Sequence, residues 1–226
     1  HVGIILDGNR RFARRLVLRP WKGHEWGAKK VREFLNWCKE LNIKEVTMFA
    51  FSVENFDRPR EEFNYLMDLF EREFKSIAND PDVYKDKVRI RFIGRIEMFP
   101  EKVKNAMEEL MEKTKDHNRF LVNFAMAYGG RAEIADAARK IGEKIKNGEL
   151  NPEDINEEVF ENYLYMKDKP DLIIRTSGEK RTSGFLLWQG DYSEWFFVEK
   201  MWPEFEKEDF LNCIEEFSKR DRRFGK

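Results

Sequence analysis

An apolar run at residues 2–6 passes directly into Asp7-Gly8-Asn9-Arg10-Arg11. A carboxylate, a glycine and two arginines in five positions describe anion capture. Glycine permits a tight turn, free amides at the following helix start attract negative charge, and guanidiniums reinforce them. Asp7 would repel a bound phosphate unless a cation stands between them, and Mg²⁺ is commonly held by one or two carboxylates together with substrate phosphate oxygens. An aspartate capping a helix beside a solvated arginine face accounts for the same residues, and this segment alone does not decide.

Ser52, Asn55 and Arg58 follow a second apolar run, 45–51. They place polar groups on the same rim as Asp7, although a turn and an N-capped helix explain Asn55, Asp57 and Pro59 equally. A third group, Arg175-Thr176-Ser177-Gly178-Glu179-Lys180-Arg181-Thr182-Ser183, also follows an apolar run. Arginines six apart with hydroxyls and a glycine between them can wrap a diphosphate through charge-assisted bonds. Helix–loop charge pairing is the alternative. Glu194 stands beside Trp195, Phe196 and Phe197, where a half-buried carboxylate requires a cation or a donor, so it is a second candidate metal ligand. The tail, Arg220-Asp221-Arg222-Arg223-Phe224-Gly225, is basic. Solvation, contact with an acidic surface and closure over a phosphate all remain open for it. Three of these groups fall at expected strand ends, where ligands bind in parallel α/β sheets, and they share one theme of anion capture beside a carboxylate.

Short β-rich runs alternate with longer amphipathic ones, the pattern of a mainly parallel sheet covered by helices. Six strands are expected, at 2–6, 45–51, 88–93, 121–127, 171–175 and 195–198. Helical spacing relates Val31, Phe34, Leu35, Cys38 and Leu41, and also Phe63, Leu66, Met67, Phe70, Phe74 and Ile77. Further helices are expected at 101–115, 131–146, 157–166 and 208–219, with loops at 79–82 and 147–148. The expectation is one α/β domain over residues 1–226, with a central six-stranded sheet. The chain has 42 basic and 43 acidic side chains and is 41% hydrophobic, which argues for a globular protein and against bulk nucleic-acid binding. Cys38 and Cys213 lack any ligand spacing and read as buried thiols in a reducing cytosol. No apolar run approaches the roughly 18 residues of a spanning helix, and no secretory leader pattern is visible, so a cytoplasmic location is expected.

Taken in order, HVGIILDGNRRFA, FAFSVENFDRP, NFAMAYGGR, DLIIRTSGEKRTSGFLLWQ, Glu194 and the terminal RRFG resemble the cis-prenyltransferases, in particular the undecaprenyl diphosphate synthases, across essentially the whole chain. The resemblance implies a homodimer whose subunits each hold a parallel sheet and a hydrophobic tunnel. It also implies Mg²⁺-dependent condensation of isopentenyl diphosphate onto an allylic prenyl diphosphate, geranylgeranyl or farnesyl, with cis stereochemistry. The product is a long polyprenyl diphosphate, precursor of a glycosyl carrier lipid, and its release implies transient contact with a membrane surface. By position, Asp7 resembles the metal-linked aspartate and Glu194 a further Mg²⁺ ligand, supplied from the same subunit or across the dimer. Gly8, Asn9, Arg10, Arg11, Phe12 and His24 resemble the allylic diphosphate site, and Arg175, Arg181 and Ser183 the isopentenyl diphosphate site. Ser52, Asn55, Phe56 and Arg58 resemble the catalytic loop, with Asn55, Ser52 or the diphosphate itself as proton relay. Arg223 and Gly225 resemble an element that reaches the partner's diphosphate, and Phe63, Leu66, Met67, Phe70 and Phe74 are candidates for the tunnel wall.

Departures from the family pattern are informative. Arg10 stands where glycine is usual, so the turn must keep Arg10 out of positive φ. Pro20 stands where an arginine is frequent, with Arg19 as neighbour, Lys180 replaces a histidine and Phe56 replaces a tryptophan. These changes resemble archaeal members that start from geranylgeranyl diphosphate. A non-catalytic accessory subunit is the alternative function; such partners typically lose the first aspartate, and Asp7 is present. A haloacid-dehalogenase-type phosphatase would need an aspartate where Asn9 stands.

Overall fold

All six expected strands form, and they join into one sheet. The computed structural model describes residues 1–220. Its strands are β1 (Val2–Ile5), β2 (Glu45–Ser52), β3 (Val88–Ile93), β4 (Phe120–Tyr128), β5 (Leu172–Arg175) and β6 (Glu194–Phe197), in the spatial order β3-β4-β2-β1-β5-β6. Every pairing is parallel. Strands β1 and β5 are buried at every residue, as central strands are when helices cover both faces, and in β5 this includes the terminal Arg175.

The covering helices are α1 (Asn9–Arg15), α2 (Gly23–Glu40), α3 (Arg60–Ala78), α4 (Pro81–Lys85), α5 (Glu101–Thr114), α6 (Gly130–Lys146), α7 (Glu157–Glu161) and α8 (Lys207–Lys219). Helix α2 turns Phe34 and Cys38 inward, and the Phe34 ring lies 4.8 Å from Phe210 and 5.7 Å from Trp202. Burying a ring of this size contributes about 1.5–3 kcal/mol. Both cysteines are free and buried, and burial pushes the Cys213 thiol up to about 12. Among the described residues no helix is long and apolar enough to cross a membrane.

Two expectations are corrected. Residues 79–82 were expected as loop, but Asp80 accepts a hydrogen bond from the Asp82 amide at 3.0 Å and caps the short α4. The helix expected over 157–166 stops at Glu161. Beyond it the Tyr165 amide donates to the buried carboxylate of Glu133 at 2.9 Å, and Leu164 and Met166 turn into the core. A buried carboxylate needs donors, and this one takes a backbone amide from the next segment.

Helix α1 ends in a Schellman motif: the Leu18 amide donates to Ala13 O at 2.9 Å and the Val17 amide to Arg14 O at 3.0 Å. The left-handed position of this motif favours glycine. Here it is filled by Val17 at φ +59°, a β-branched residue for which that conformation costs roughly 1–2 kcal/mol.

The sheet grows outward from β1 in two directions, through β2, β4 and β3 on one side and through β5 and β6 on the other. Ligands in open α/β sheets bind beyond the carboxyl ends of the strands at such a switch, which puts Asp7 and Arg175 at the point where a site is expected.

Candidate active site

Asp7 leaves the carboxyl end of β1, and Arg175 ends the adjacent β5 with Ile5 as its register partner. Arg175 Nη2 donates to Asp7 Oδ2 at 2.8 Å, and the Gly8 amide donates to Asp7 Oδ1 at 2.7 Å. The other arm of the Arg175 fork donates to Ser183 Oγ at 2.7 Å and to Arg181 O at 2.6 Å. One guanidinium, 3% exposed, thus ties the first motif to the loop bearing Arg181 and Ser183. Burial alone would raise the Asp7 pKa. The Arg175 hydrogen bond and the Arg175 and Arg11 charges outweigh it, holding the carboxyl below its ordinary range and ionised.

Gly8 is at φ +108°, and a Cβ there would fall 2.7 Å from Met201 Cβ, so both backbone and space demand glycine. The chain is helical from Asn9 onward. Arg10 therefore occupies ordinary helical backbone, and the glycine usual at its position is not required.

A second charged group lies next to the first. Glu62 on α3 is 1% exposed and gathers Arg58 at 3.0 Å, Arg10 at 3.4 Å and His24 at 3.9 Å. Its carboxyl is held low by the nearby His24 first, with the two arginines adding to it against burial. His24 is shifted downward, chiefly by burial and then by the Arg58 and Arg10 charges, against the pull of Glu62. It is neutral near pH 7. Ser52 and Asn55 cap each other: the Ser52 amide donates to Asn55 Oδ1 at 3.1 Å, closing a reciprocal capping box at the start of the 52–58 turn.

These residues open on a cavity of about 1010 Å³. Asp7, Asn9, His24, Ser52, Asn55, Arg58, Arg175, Arg181 and Ser183 line its rim. Leu66, Phe70, Phe74 and Ile77 of α3 form one wall, and the lining reaches Val88 and Phe120 at the amino ends of their strands. The cavity therefore runs the length of the sheet from a charged mouth past apolar side chains to Lys39, Asp80 and Asp82.

Other expected site residues lie elsewhere. Phe12 is outside the lining, with its ring 6.0 Å from Trp26. Phe56 joins Phe51, Phe63 and Phe99 at 5.2–5.6 Å, so it braces the 52–58 turn from behind. Phe63 and Met67 also fall outside the cavity wall; Phe63 packs instead against Phe51 and Phe56, at 6.5 and 5.6 Å. Arg10 and Arg11 are outside the cavity lining: Arg10 pairs with Glu62, Arg11 bonds Ser177 and Glu179 and lies 3.5 Å from Asp7 Oδ2, and Arg19 pairs with Glu61.

Glu194 opens β6 opposite Leu172, whereas Arg175 lies opposite Phe197. It stands about 10 Å nearer the amino end of the sheet and is paired with Arg220 at 2.7 Å. The fold of one chain does not bring Glu194 to Asp7. Arg223 and Gly225 lie outside the described residues.

Two residues of the site were not anticipated, one behind the rim and one on it. Glu62 sits in the run Arg60-Glu61-Glu62, which reads as an ordinary acidic first turn. Arg131 belongs to the quoted Tyr128-Gly129-Gly130-Arg131 motif and lines the cavity next to Ser183 and Gly184. Gly130 lets α6 approach: its amide donates to Gly184 O at 2.8 Å, and a Cβ would meet that oxygen at 2.5 Å. Among the described residues no carboxylate pairs with the exposed Arg131.

The residues present fit a cation completed by its substrate. Asp7 is ionised and its side chain is 28% exposed; Gly8 and Arg175 donate to its two oxygens and Arg11 lies 3.5 Å from Oδ2, against about four accepting sites on a carboxylate. Among the described residues no cluster of three acidic, histidine or cysteine side chains forms a protein-only cage. One carboxylate plus phosphate oxygens is a common magnesium arrangement.

The class of protein follows from known relatives. Residues 5–225 match the family model described as "Putative undecaprenyl diphosphate synthase". The chain is 50% identical, over its full length and 84% of the relative, to the tritrans,polycis-undecaprenyl-diphosphate synthase (geranylgeranyl-diphosphate specific) of Methanopyrus kandleri. The protein of that name from Thermococcus kodakarensis is 51% identical, with 100% and 86% of the two chains covered. Among solved structures, lavandulyl diphosphate synthase from Lavandula x intermedia in complex with dimethylallyl diphosphate is similar at a TM-score of 0.93 and 33% identity, covering 100% and 98% of the two chains. A probable undecaprenyl diphosphate synthase from Campylobacter jejuni is similar at 0.82 and 34%, with the same coverage. The chain belongs to the undecaprenyl diphosphate synthase family and is a cis-prenyltransferase.

Proposed function

We propose that this enzyme condenses isopentenyl diphosphate onto geranylgeranyl diphosphate with cis stereochemistry, making a long polyprenyl diphosphate that serves as precursor of a glycosyl carrier lipid. The observation that carries this reading is the ionised Asp7, tied to Arg175 and Ser183 at the mouth of a long apolar cavity. The geranylgeranyl starter rests on the archaeal relatives, which bear that specificity in their names.

In the proposed reaction the allylic diphosphate leaves with the electron pair of its carbon–oxygen bond. The isopentenyl double bond attacks the allylic carbon, and a proton departs from C2 of the isopentenyl unit. Asn9, His24 and Arg58 hold the departing diphosphate, while Arg175, Arg181, Ser183 and Arg131 hold the isopentenyl diphosphate. Positioning and fixed positive charge supply most of the rate. Asp7 is the residue that would hold Mg²⁺, whose bound charge would neutralise phosphate oxygens. Asn55 has its carbonyl committed to the Ser52 amide, and a carboxamide is a poor base. It orients the substrate, and a diphosphate oxygen accepts the proton. A homodimer in which a partner supplies Glu194 and the basic tail remains part of the proposal, since one chain holds Glu194 away from Asp7.

Incubation with labelled isopentenyl diphosphate, geranylgeranyl diphosphate and Mg²⁺ tests the reading. Butanol-extractable label that disappears with chelator and in Asp7→Asn is expected. Its absence from the wild-type protein with every allylic starter would overturn it.

A further inference from the structure

We propose that the turn Leu16-Val17-Leu18 is a docking tip that seats the mouth of the cavity on a lipid bilayer bearing anionic phospholipid. Leu16 is 46% exposed, Val17 93% and Leu18 39%. Three consecutive large apolar residues in water are unusual for a surface turn. Val17 also occupies the left-handed position of the Schellman motif, at φ +59°, where glycine would be relaxed. A side chain that strains its own backbone and packs on nothing in its own chain is accounted for by a contact outside it.

The surroundings specify that contact. Arg14, Arg15 and Arg19 flank the tip and are exposed. The carboxylates that face them are Glu204, paired with Arg15, and Glu61, paired with Arg19. Both pairs are solvent-exposed and therefore weak, and among the described residues no carboxylate pairs with Arg14. An apolar tip ringed by arginines is the composition of segments that enter the headgroup layer of anionic membranes. Placement agrees with this. Helix α1 has seven residues, so the tip stands about 10 Å from Asn9 at the cavity rim. If the proposed function is right, as this inference assumes, allylic substrate and product are amphiphiles with charged heads and apolar tails. An enzyme seated by this turn exchanges them at a bilayer surface instead of through water.

Docking is measured without substrate, so its failure is separable from failure of the transferase reading. Purified protein is co-sedimented with phosphatidylcholine vesicles, with and without phosphatidylglycerol. Binding is expected only with phosphatidylglycerol, decreasing as salt rises. Leu16→Ser/Val17→Asp should weaken it about tenfold, and Arg14→Glu should weaken it less. Val17→Gly, which eases the backbone and keeps the fold, should also bind more weakly than wild type. Turnover in detergent solution is expected to be unchanged in all of them. The proposal is overturned if wild type ignores the vesicles, or if the double variant sediments like wild type. It is also overturned if the double variant abolishes only a lipid-free self-association seen by sedimentation velocity, since the tip would then meet a second copy of the chain.

Discussion

At the scale of single residues, the site depends on one buried fork. Arg175 donates to Asp7, Ser183 and Arg181 O, and a lysine has the charge without the planar geometry to reach all three. Arg175→Lys is therefore expected to fold and to lose about 10²–10³-fold in kcat/KM for isopentenyl diphosphate, the usual effect of removing one aimed donor. Steady-state kinetics beside a circular dichroism spectrum check this. Arg131→Ala should raise KM for isopentenyl diphosphate with little change in kcat, because Arg131 lines the rim but has no part in the Asp7 fork. His24 gives a pH signature. Its folded pKa is lowered, chiefly by burial, so below the unfolded value of about 6.5 the unfolded chain binds the proton more readily and stability falls with falling pH. A bound diphosphate adds negative charge beside the ring and reverses that shift. Binding of geranylgeranyl diphosphate near pH 6.5 should take up a proton, seen as a calorimetric enthalpy that depends on buffer ionisation, and His24→Asn should abolish the dependence.

At the scale of elements, the strands and the long helices were legible because their apolar periods are local properties of the chain. What was not legible depended on distant partners. Helix α7 ends early because Glu133, far earlier in the sequence, takes the Tyr165 amide. Glu62 looked like any acidic residue in a first turn, and only the packing of α3 against α1 and α2 makes it the shared counter-charge of Arg10, His24 and Arg58. Two predictions belong here. Glu62→Ala leaves those cations without an anion in a buried setting and should destabilise the fold by about 3–5 kcal/mol, whereas Glu62→Gln retains the shape and some hydrogen bonds and should lose less, a difference that urea unfolding resolves. Val17→Gly removes the left-handed strain at the end of α1 and should stabilise the protein by about 1 kcal/mol, raising Tm by about 2–4 °C in a chain of this size.

At the scale of the whole molecule, strand direction decides which residues can meet. Asp7 and Arg175 come after their strands and share the carboxyl rim. Glu194 begins its strand, so the same rule places it toward the opposite rim of its own subunit, and that much was already implicit in the expected strand at 195–198. The cavity was not implicit, because hydrophobic period marks a buried helix face without distinguishing a filled core from a lined passage. Of the five wall candidates on α3, Leu66, Phe70 and Phe74 line the cavity and Phe63 and Met67 do not. Ile77 continues the lining stripe, eleven positions beyond Leu66 and so about 16 Å deeper along the helix. If the growing prenyl chain follows this stripe, its length is limited by the side chains it meets last. Ile77→Trp puts a bulky ring there, far from the charged mouth, and should leave the first condensation nearly unchanged while shortening the final product. Chromatography of the dephosphorylated products, with total isopentenyl incorporation in the first turnover as control, reads both quantities. Unchanged product length with the indole in place would mean that the chain grows by another route.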